Sequence, residues 1–193
     1  MKRVAIFASG SGSNFQAIVD ATRLGELEAD VCLLVCDKPD AYVVQRALQS
    51  GIPTFAFNPK EYASKQHFEL AILEELQKHD IDFIVLAGYM RLIGDTLLHA
   101  YGGRMTNIHP SLLPSFPGKD AIWQALHAGV KITGVSIHYV DEGMDTGPII
   151  AQTAVEIDEY DTLQSLEKKV HAVEHALYIH TLQHIFQKER QEV

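Results

Sequence analysis

Arg3-Val4-Ala5-Ile6-Phe7-Ala8-Ser9-Gly10-Ser11-Gly12-Ser13-Asn14-Phe15-Gln16 is the stretch that decides the fold. The run from Val4 to Ala8 is apolar without alternation, as a strand buried on both faces must be; a half-exposed strand would alternate with period two. It breaks at a Gly/Ser turn, and a helical pattern follows from about Asn14 to Leu24. Strand, glycine-rich turn and helix make one βα unit.

The same unit recurs outward along the chain. Strands are expected near Arg3–Ala8, Asp30–Asp37, Pro53–Asn58, Asp82–Gly88 and Met105–His109, with helices near Asn14–Leu24, Ala41–Ser50, Glu61–His79 and Gly94–Tyr101 between them. Repeated βα units with continuous apolar strands predict an α/β fold, an open, doubly wound, mostly parallel sheet with helices on both faces. After a short helix near Ala121–His127 the order changes. Two runs, Ile132–Val140 and Gly147–Ile157, lie too close for a helical crossover, so the far edge is expected to be partly antiparallel. From about Asp161 to Lys188, Leu163, Leu166, Val170, Val173, Leu177, Leu182 and Ile185 recur at helical spacing and predict an amphipathic helix packed back on the sheet. With no linker and no repeat, residues 1–193 read as a single domain.

Composition agrees with a compact chain: of 193 residues 47% are hydrophobic and 21% charged, which excludes a disordered or low-complexity protein. Sixteen Lys+Arg against 25 Asp+Glu give a formal charge of −9, and no cationic cluster offers a polyanion a groove, so a nucleic-acid partner is not expected. A small anionic substrate remains compatible, because backbone N–H groups at a helix start hold one phosphate whatever the net charge. The N-terminus has no signal-peptide pattern, and no apolar run reaches the ~18 residues that span a bilayer. A soluble, cytoplasmic protein with no membrane partner is expected. Cys32 and Cys36 sit roughly 13 Å apart on one strand, beyond disulfide reach, and read as core thiols.

Three segments carry chemistry. The first is the loop Ser9–Asn14, where free N–H groups and the positive end of a helix suit an anion, with Ser11, Ser13 and Asn14 as added donors. Taken alone, it fits a plain tight turn with Ser13 or Asn14 as N-cap equally well. It is not a dinucleotide fingerprint, since Phe15 stands where a third small residue is needed, although Asp37 could mimic a ribose-binding acid. The second is Thr106-Asn107-Ile108-His109-Pro110-Ser111-Leu112-Leu113-Pro114-Ser115-Phe116-Pro117-Gly118. Asn107 and His109, two apart, share a strand face at its carboxyl end, where open α/β sheets bind ligands; together they suit acid/base and oxyanion work. The third is the turn Asp141-Glu142-Gly143-Met144-Asp145-Thr146-Gly147-Pro148, whose carboxylates could face a histidine and hold its tautomer; a solvated hairpin accounts for Glu142. A fourth signal, His171-Ala172-Val173-Glu174-His175, spells a zinc-peptidase pattern. Short motifs of this kind arise easily in a helix that also carries His180 and His184, and no metal is expected.

Taken together and in this order, the Gly-Ser-Gly-Ser-Asn loop, the Asn-Ile-His-Pro-Ser-Leu-Leu-Pro segment and the Gly-Met-Asp-Thr-Gly-Pro-Ile-Ile turn closely resemble the folate-dependent formyltransferases. Within them, the phosphate loop and the compact length resemble the glycinamide ribonucleotide branch of purine synthesis. The resemblance covers the whole chain and implies formyl transfer from 10-formyltetrahydrofolate, a cosubstrate, to the amine of 5′-phosphoribosylglycinamide, without a metal. It implies a catalytic trio of Asn107, His109 and Asp145 acting on a tetrahedral intermediate in a direct transfer. For the ribonucleotide it implies Gly10, Ser11, Gly12, Ser13 and Asn14 at the phosphate and Glu174 at the glycinamide end. For the folate it implies Met90, Arg91, Leu92, Ile93, Asn107, Val140 and Asp141, with Lys65 at the glutamate tail. It further implies a cis Leu113–Pro114 bond and a monomer or homodimer. One departure stands out: Lys119-Asp120 occupies the place where many relatives carry a histidine, so Asp120 is not counted as catalytic. The alternatives are a nicotinamide-dependent oxidoreductase, which Phe15 disfavours, and a non-enzymatic nucleotide-binding module, which would bind phosphate regardless of His109.

Overall fold

The structure is a computed structural model that describes residues 1–191. Among these, seven strands form one sheet: β1 (Lys2–Phe7), β2 (Ala29–Cys36), β3 (Thr54–Ala56), β4 (Phe83–Leu86), β5 (Met105–His109), β6 (Ile132–Tyr139) and β7 (Ile149–Glu156). Their spatial order is β3-β2-β1-β4-β5-β6-β7. The pairs from β3 through β5 are parallel, whereas β6 runs antiparallel to β5 and β7 antiparallel to β6. The helices are α1 (Ser13–Leu24), α2 (Tyr42–Gln49), α3 (Lys65–Lys78), α4 (Asp95–Tyr101), α5 (Ala121–Ala128) and α6 (Leu163–Gln191). No helix among the described residues is long and apolar enough to cross a membrane.

The absence of alternation in β1 has its physical reason in two cores. Val4 and Ile6 pack into a cluster with Phe15, Val43 and Tyr178, while Ala5 and Phe7 pack into a second with Phe68, Ile72 and Leu97. Every side chain of a central strand is then buried, whichever way it points.

Most boundaries move by a residue or two from the sequence reading, and three differences are instructive. The helix expected from Glu61 begins at Lys65, because Ser64 accepts the His67 N–H as N-cap and Pro59–Glu61 forms a separate 3-10 turn capped by Asn58. The strand expected over Pro53–Asn58 is confined to Thr54–Ala56, an edge strand that pairs only with Leu34–Cys36 of β2. Helix α1 is capped by Gly12 in the left-handed region, not by Ser13 or Asn14. The Leu113–Pro114 bond is cis, as the resemblance implied.

Helix α6 buries the expected stripe at Leu166, Val170, Leu182 and Ile185, but in its middle Glu174 and Tyr178 take the deepest positions. Leu166, Val170, Glu174, Tyr178, Leu182 and Ile185 are buried, whereas Val173 and Leu177 are only half-buried. Fully buried Tyr178 makes this stripe a structural tie: its hydroxyl lies 3.0 Å from Leu86 O, 3.1 Å from Thr106 O and 3.1 Å from Thr106 Oγ1, so it anchors α6 to the ends of β4 and β5. Tyr178→Phe removes that donor inside the core and should destabilise the fold by ~1 to 2 kcal/mol, read as a lower urea midpoint with unchanged m-value.

Candidate active site

Chain order reverses between β1 and β4, which are parallel neighbours whose following helices, α1 and α4, pack on opposite faces of the sheet. At such a switch point the loops beyond the carboxyl ends splay apart and leave a crevice. The crevice here is a cleft of about 630 Å³, walled by the loop after β1, residues 86–93, the end of β5, the 118–120 and 140–145 loops and one face of α6.

Asn107 and His109 do share a strand face at the end of β5, and Asp145 closes on both. His109 Nδ1 lies 3.3 Å from Asp145 Oδ2, and its Nε2 lies 2.8 Å from Phe116 O. Asn107 Nδ2 donates to Asp145 Oδ1 at 3.3 Å, and the Gly118 N–H donates to Oδ2 at 2.8 Å. Burial alone would raise the Asp145 carboxyl. Hydrogen bonding with His138, the Gly118 N–H and the nearby His109 outweigh it and hold the group below the usual carboxylate value. Backbone strain gathers at the same place: Asp145 (φ 55°) and Phe116 (φ 51°) both occupy the left-handed region. A Cβ at Gly147 would collide with Tyr139 O, which explains the glycine two residues beyond Asp145.

His138 is the member that residue-by-residue reading passed over. Antiparallel register sets it directly opposite Asn107. Its Nδ1 lies 2.8 Å from Tyr139 O, so Nδ1 carries the hydrogen and Nε2 is free to accept from Asn107 Nδ2 at 3.1 Å. Nε2 also lies 3.6 Å from Asp145 Oδ1. Its only sequence signal was alternation along β6, which becomes informative once the register with β5 is known.

Across the cleft, the loop Gly10–Asn14 leads into α1, whose first N–H groups have no intrahelical partner. Gly12 is required by position: its φ is +73°, and a Cβ would collide with Val43. Val43 N donates to Gly10 O at 3.1 Å and Arg46 Nε to Ser11 O at 2.8 Å, so α2 clamps the loop from outside. Asn14 is buried; its Nδ2 donates to Glu174 Oε2 at 3.2 Å, and its Oδ1 has no partner among the described residues. His171 Nδ1 contacts the same Glu174 oxygen at 2.7 Å. That hydrogen bond, opposed by burial, raises His171 above the ordinary histidine value. Glu174 thus faces the cleft beside the anion loop rather than joining His171 and His175 around an ion. His175 is not part of the cleft wall, and no group of three or more His, Cys, Asp or Glu able to hold a metal occurs among the described residues.

Met90, Arg91, Leu92, Ile93, Val140 and Asp141 all line the cleft, as do Lys119 and Asp120. Asp120 is the N-cap of α5, with φ 55°. Lys65 is not part of the wall; it stands beside Gly94, half-exposed, 3.9 Å from Glu69. Asp37 is no ribose acid: Ser9 and Arg91 take up its two carboxylate oxygens, which removes the feature most favourable to a nicotinamide reading.

An Asn–His–Asp cluster and a helix start thus face one crevice at the switch point, and the chain belongs to the formyl transferase family, whose model matches residues 2–182. Its relatives specify the branch. It is 61% identical over 178 residues to phosphoribosylglycinamide formyltransferase of Bacillus subtilis (strain 168), covering 92% of this chain and 91% of the relative. The solved structure of phosphoribosylglycinamide formyltransferase from Bacillus halodurans superposes with TM-score 0.95 at 58% identity over 97% of each chain. That of glycinamide ribonucleotide transformylase 1 from Geobacillus kaustophilus gives 0.93 at 60% identity, covering 96% of this chain and 98% of that one. Within the formyl transferase family, the chain groups with the phosphoribosylglycinamide formyltransferases.

The His171–Glu174 pair makes a testable statement about charge. A histidine raised on folding contributes stability that is full below its unfolded value and fades as pH rises through the folded one. NMR titration should place the His171 midpoint above 6.5, and Glu174→Gln should lower it. A wild-type midpoint at or below 6.5 contradicts the pairing.

Proposed function

We propose that this enzyme transfers the formyl group of 10-formyltetrahydrofolate directly to the amine of 5′-phosphoribosylglycinamide, a step of purine synthesis. The observation that carries the proposal is the convergence of Asn107, His109 and Asp145 between an anion loop and a second, largely apolar wall.

The residues present suit both substrates. Free N–H groups of Gly12–Asn14 match a phosphate, while the unpartnered Asn14 Oδ1 and the Glu174 carboxylate match N–H donors at the glycinamide end. Exposed Met90, Leu92 and Met144 around the backbone of 90–93, with Val140 and Asp141, match a flat heteroaromatic ring with polar edges. Lys65, beside Gly94, stands where an acidic tail leaving the cleft would pass. The folate supplies an activated formyl carbon; the protein supplies charge and proton handling.

As the amine adds to that carbon, negative charge grows on the formyl oxygen. Asn107 Nδ2 spends its hydrogens on long contacts of 3.1 and 3.3 Å, and an oxyanion would draw the same N–H into a shorter, charge-assisted bond. His109 is the second polar group beside that carbon; its Nδ1 faces Asp145 and its Nε2 faces Phe116 O, so it donates to the oxyanion by exchanging one of those contacts. Asp145, kept ionised, accepts the proton that leaves the attacking nitrogen and returns it to the departing folate nitrogen, directly or through a water. None of these steps calls on a metal. We assign the activity to a single formyltransferase domain over 1–193, cytoplasmic, working as monomer or homodimer on small molecules, without nucleic acid or membrane.

Formyl transfer between the two named substrates, followed spectroscopically, tests the proposal. Asn107→Ala or His109→Ala should lower kcat by about 100- to 1,000-fold with little change in melting temperature, and either variant keeping over half of wild-type turnover contradicts the assigned roles. Glu174→Gln should act mainly on KM for the ribonucleotide; an unchanged KM removes Glu174 from that subsite.

A further inference from the structure

The cleft wall from Gly88 to Gly94 joins β4 to α4 without regular secondary structure, so strand and helix ladders do not define its backbone. Buried side chains outside the cleft define it instead. The Met90 N–H donates to Ser9 Oγ at 2.9 Å, and the Ser9 hydroxyl donates in turn to Asp37 Oδ1. Arg91 Nε donates to Asp37 Oδ2 at 2.7 Å, and the Gly94 N–H donates to Glu69 Oε1 at 2.7 Å. At one end, Ser9 N donates to Gly88 O at 3.0 Å.

Ser9 and Asp37 are 2% and 4% exposed, and neither lines the cleft. Burying a carboxylate costs free energy unless all its oxygens are matched, and here every match leads to the 88–94 segment. The Arg91 guanidinium is committed in the same way: besides its bond to Asp37, it lies 5.8 Å over the Phe68 ring. Arg91 therefore serves as a tether for its own backbone. The neighbouring anion loop meets Asp37 only at its first residue, Ser9; Gly10 and Ser11 are held separately, by Val43 N and Arg46 Nε.

We infer that Ser9 and Asp37 are positioning residues for the folate side of the cleft: by holding residues 90–91 they set affinity for the formyl donor, while ribonucleotide binding and the chemical step are set elsewhere. The inference rests on the functional reading above. Asp37→Asn should raise KM for 10-formyltetrahydrofolate about tenfold, leaving KM for 5′-phosphoribosylglycinamide within about twofold and kcat within about threefold, and Ser9→Ala should raise the folate constant likewise. Arg91→Gln, at a partly exposed position that tolerates substitution, should raise the same constant. In the Asp37→Asn background it should add little, because both changes break one link. An active wild type with folate KM within about twofold in Asp37→Asn overturns the inference alone, as does an equal rise in both KM values. Should Asp37→Asn not fold, Arg91→Gln and Ser9→Ala decide by the same criterion. A wild type that transfers no formyl group overturns the functional reading and this inference with it.

Discussion

A carboxylate shielded from water at the end of a sheet stays ionised only if donors reach it from several directions, and Asp145 is placed where they do. Its side chain is 11% exposed; the Gly118 N–H and Asn107 Nδ2 donate to it, and the His109 and His138 rings stand 3.3 and 3.6 Å away. These come from a loop, from β5 twice and from β6. No local stretch of chain supplies them; the sheet must be assembled first. The antiparallel return of β6 along β5 is then part of what builds the cluster, because that register sets His138 opposite Asn107.

The other half of the cleft solves a different electrostatic problem. A chain with formal charge −9 offers an anion site, and it does so with little cationic charge nearby, through free backbone N–H groups at the start of α1. The loop keeps its shape because α2 grips it from behind. The opposite, folate-side wall uses the complementary device: buried carboxylates of Asp37 and Glu69 gather N–H groups from an irregular segment. Both walls are held from behind, by hydrogen bonds that α2 makes to the loop and that Asp37 and Glu69 make to the irregular segment.

Helix α6 links stability to the site. One buried stripe carries Tyr178, which ties the ends of β4 and β5, and one turn earlier Glu174, which faces the cleft beside Asn14. A carboxylate sits in an otherwise apolar stripe at the cost of desolvation, which Asn14 and His171 offset.

Much of this was legible in order along the chain. Unbroken apolar strands separated by helices required a doubly wound sheet; the close spacing of the last two strands required an antiparallel edge; and period two on β5 put Asn107 and His109 on one face. The acidic turn offered Asp145 as a carboxylate that could face a histidine, and motif resemblance added Glu174; the structure brings the first to His109 and the second to the cleft beside Asn14. What escaped was set by relations between distant segments. In the middle of the α6 stripe Tyr178 lies deeper than Val173 and Leu177, its hydroxyl satisfied by Leu86 O and Thr106 O, which a count of aliphatic residues does not contain. Asp37 looked like a ribose acid from its place after β2, yet Ser9 and Arg91 consume it. His138 acquired meaning only through its register with Asn107. Local chain geometry and solvent preference thus determined the layers and the faces, because they depend on neighbours in sequence. Which polar atoms meet was decided by tertiary structure, since a hydrogen bond tolerates an error of only a few tenths of an ångström and its partners lie scores of residues apart.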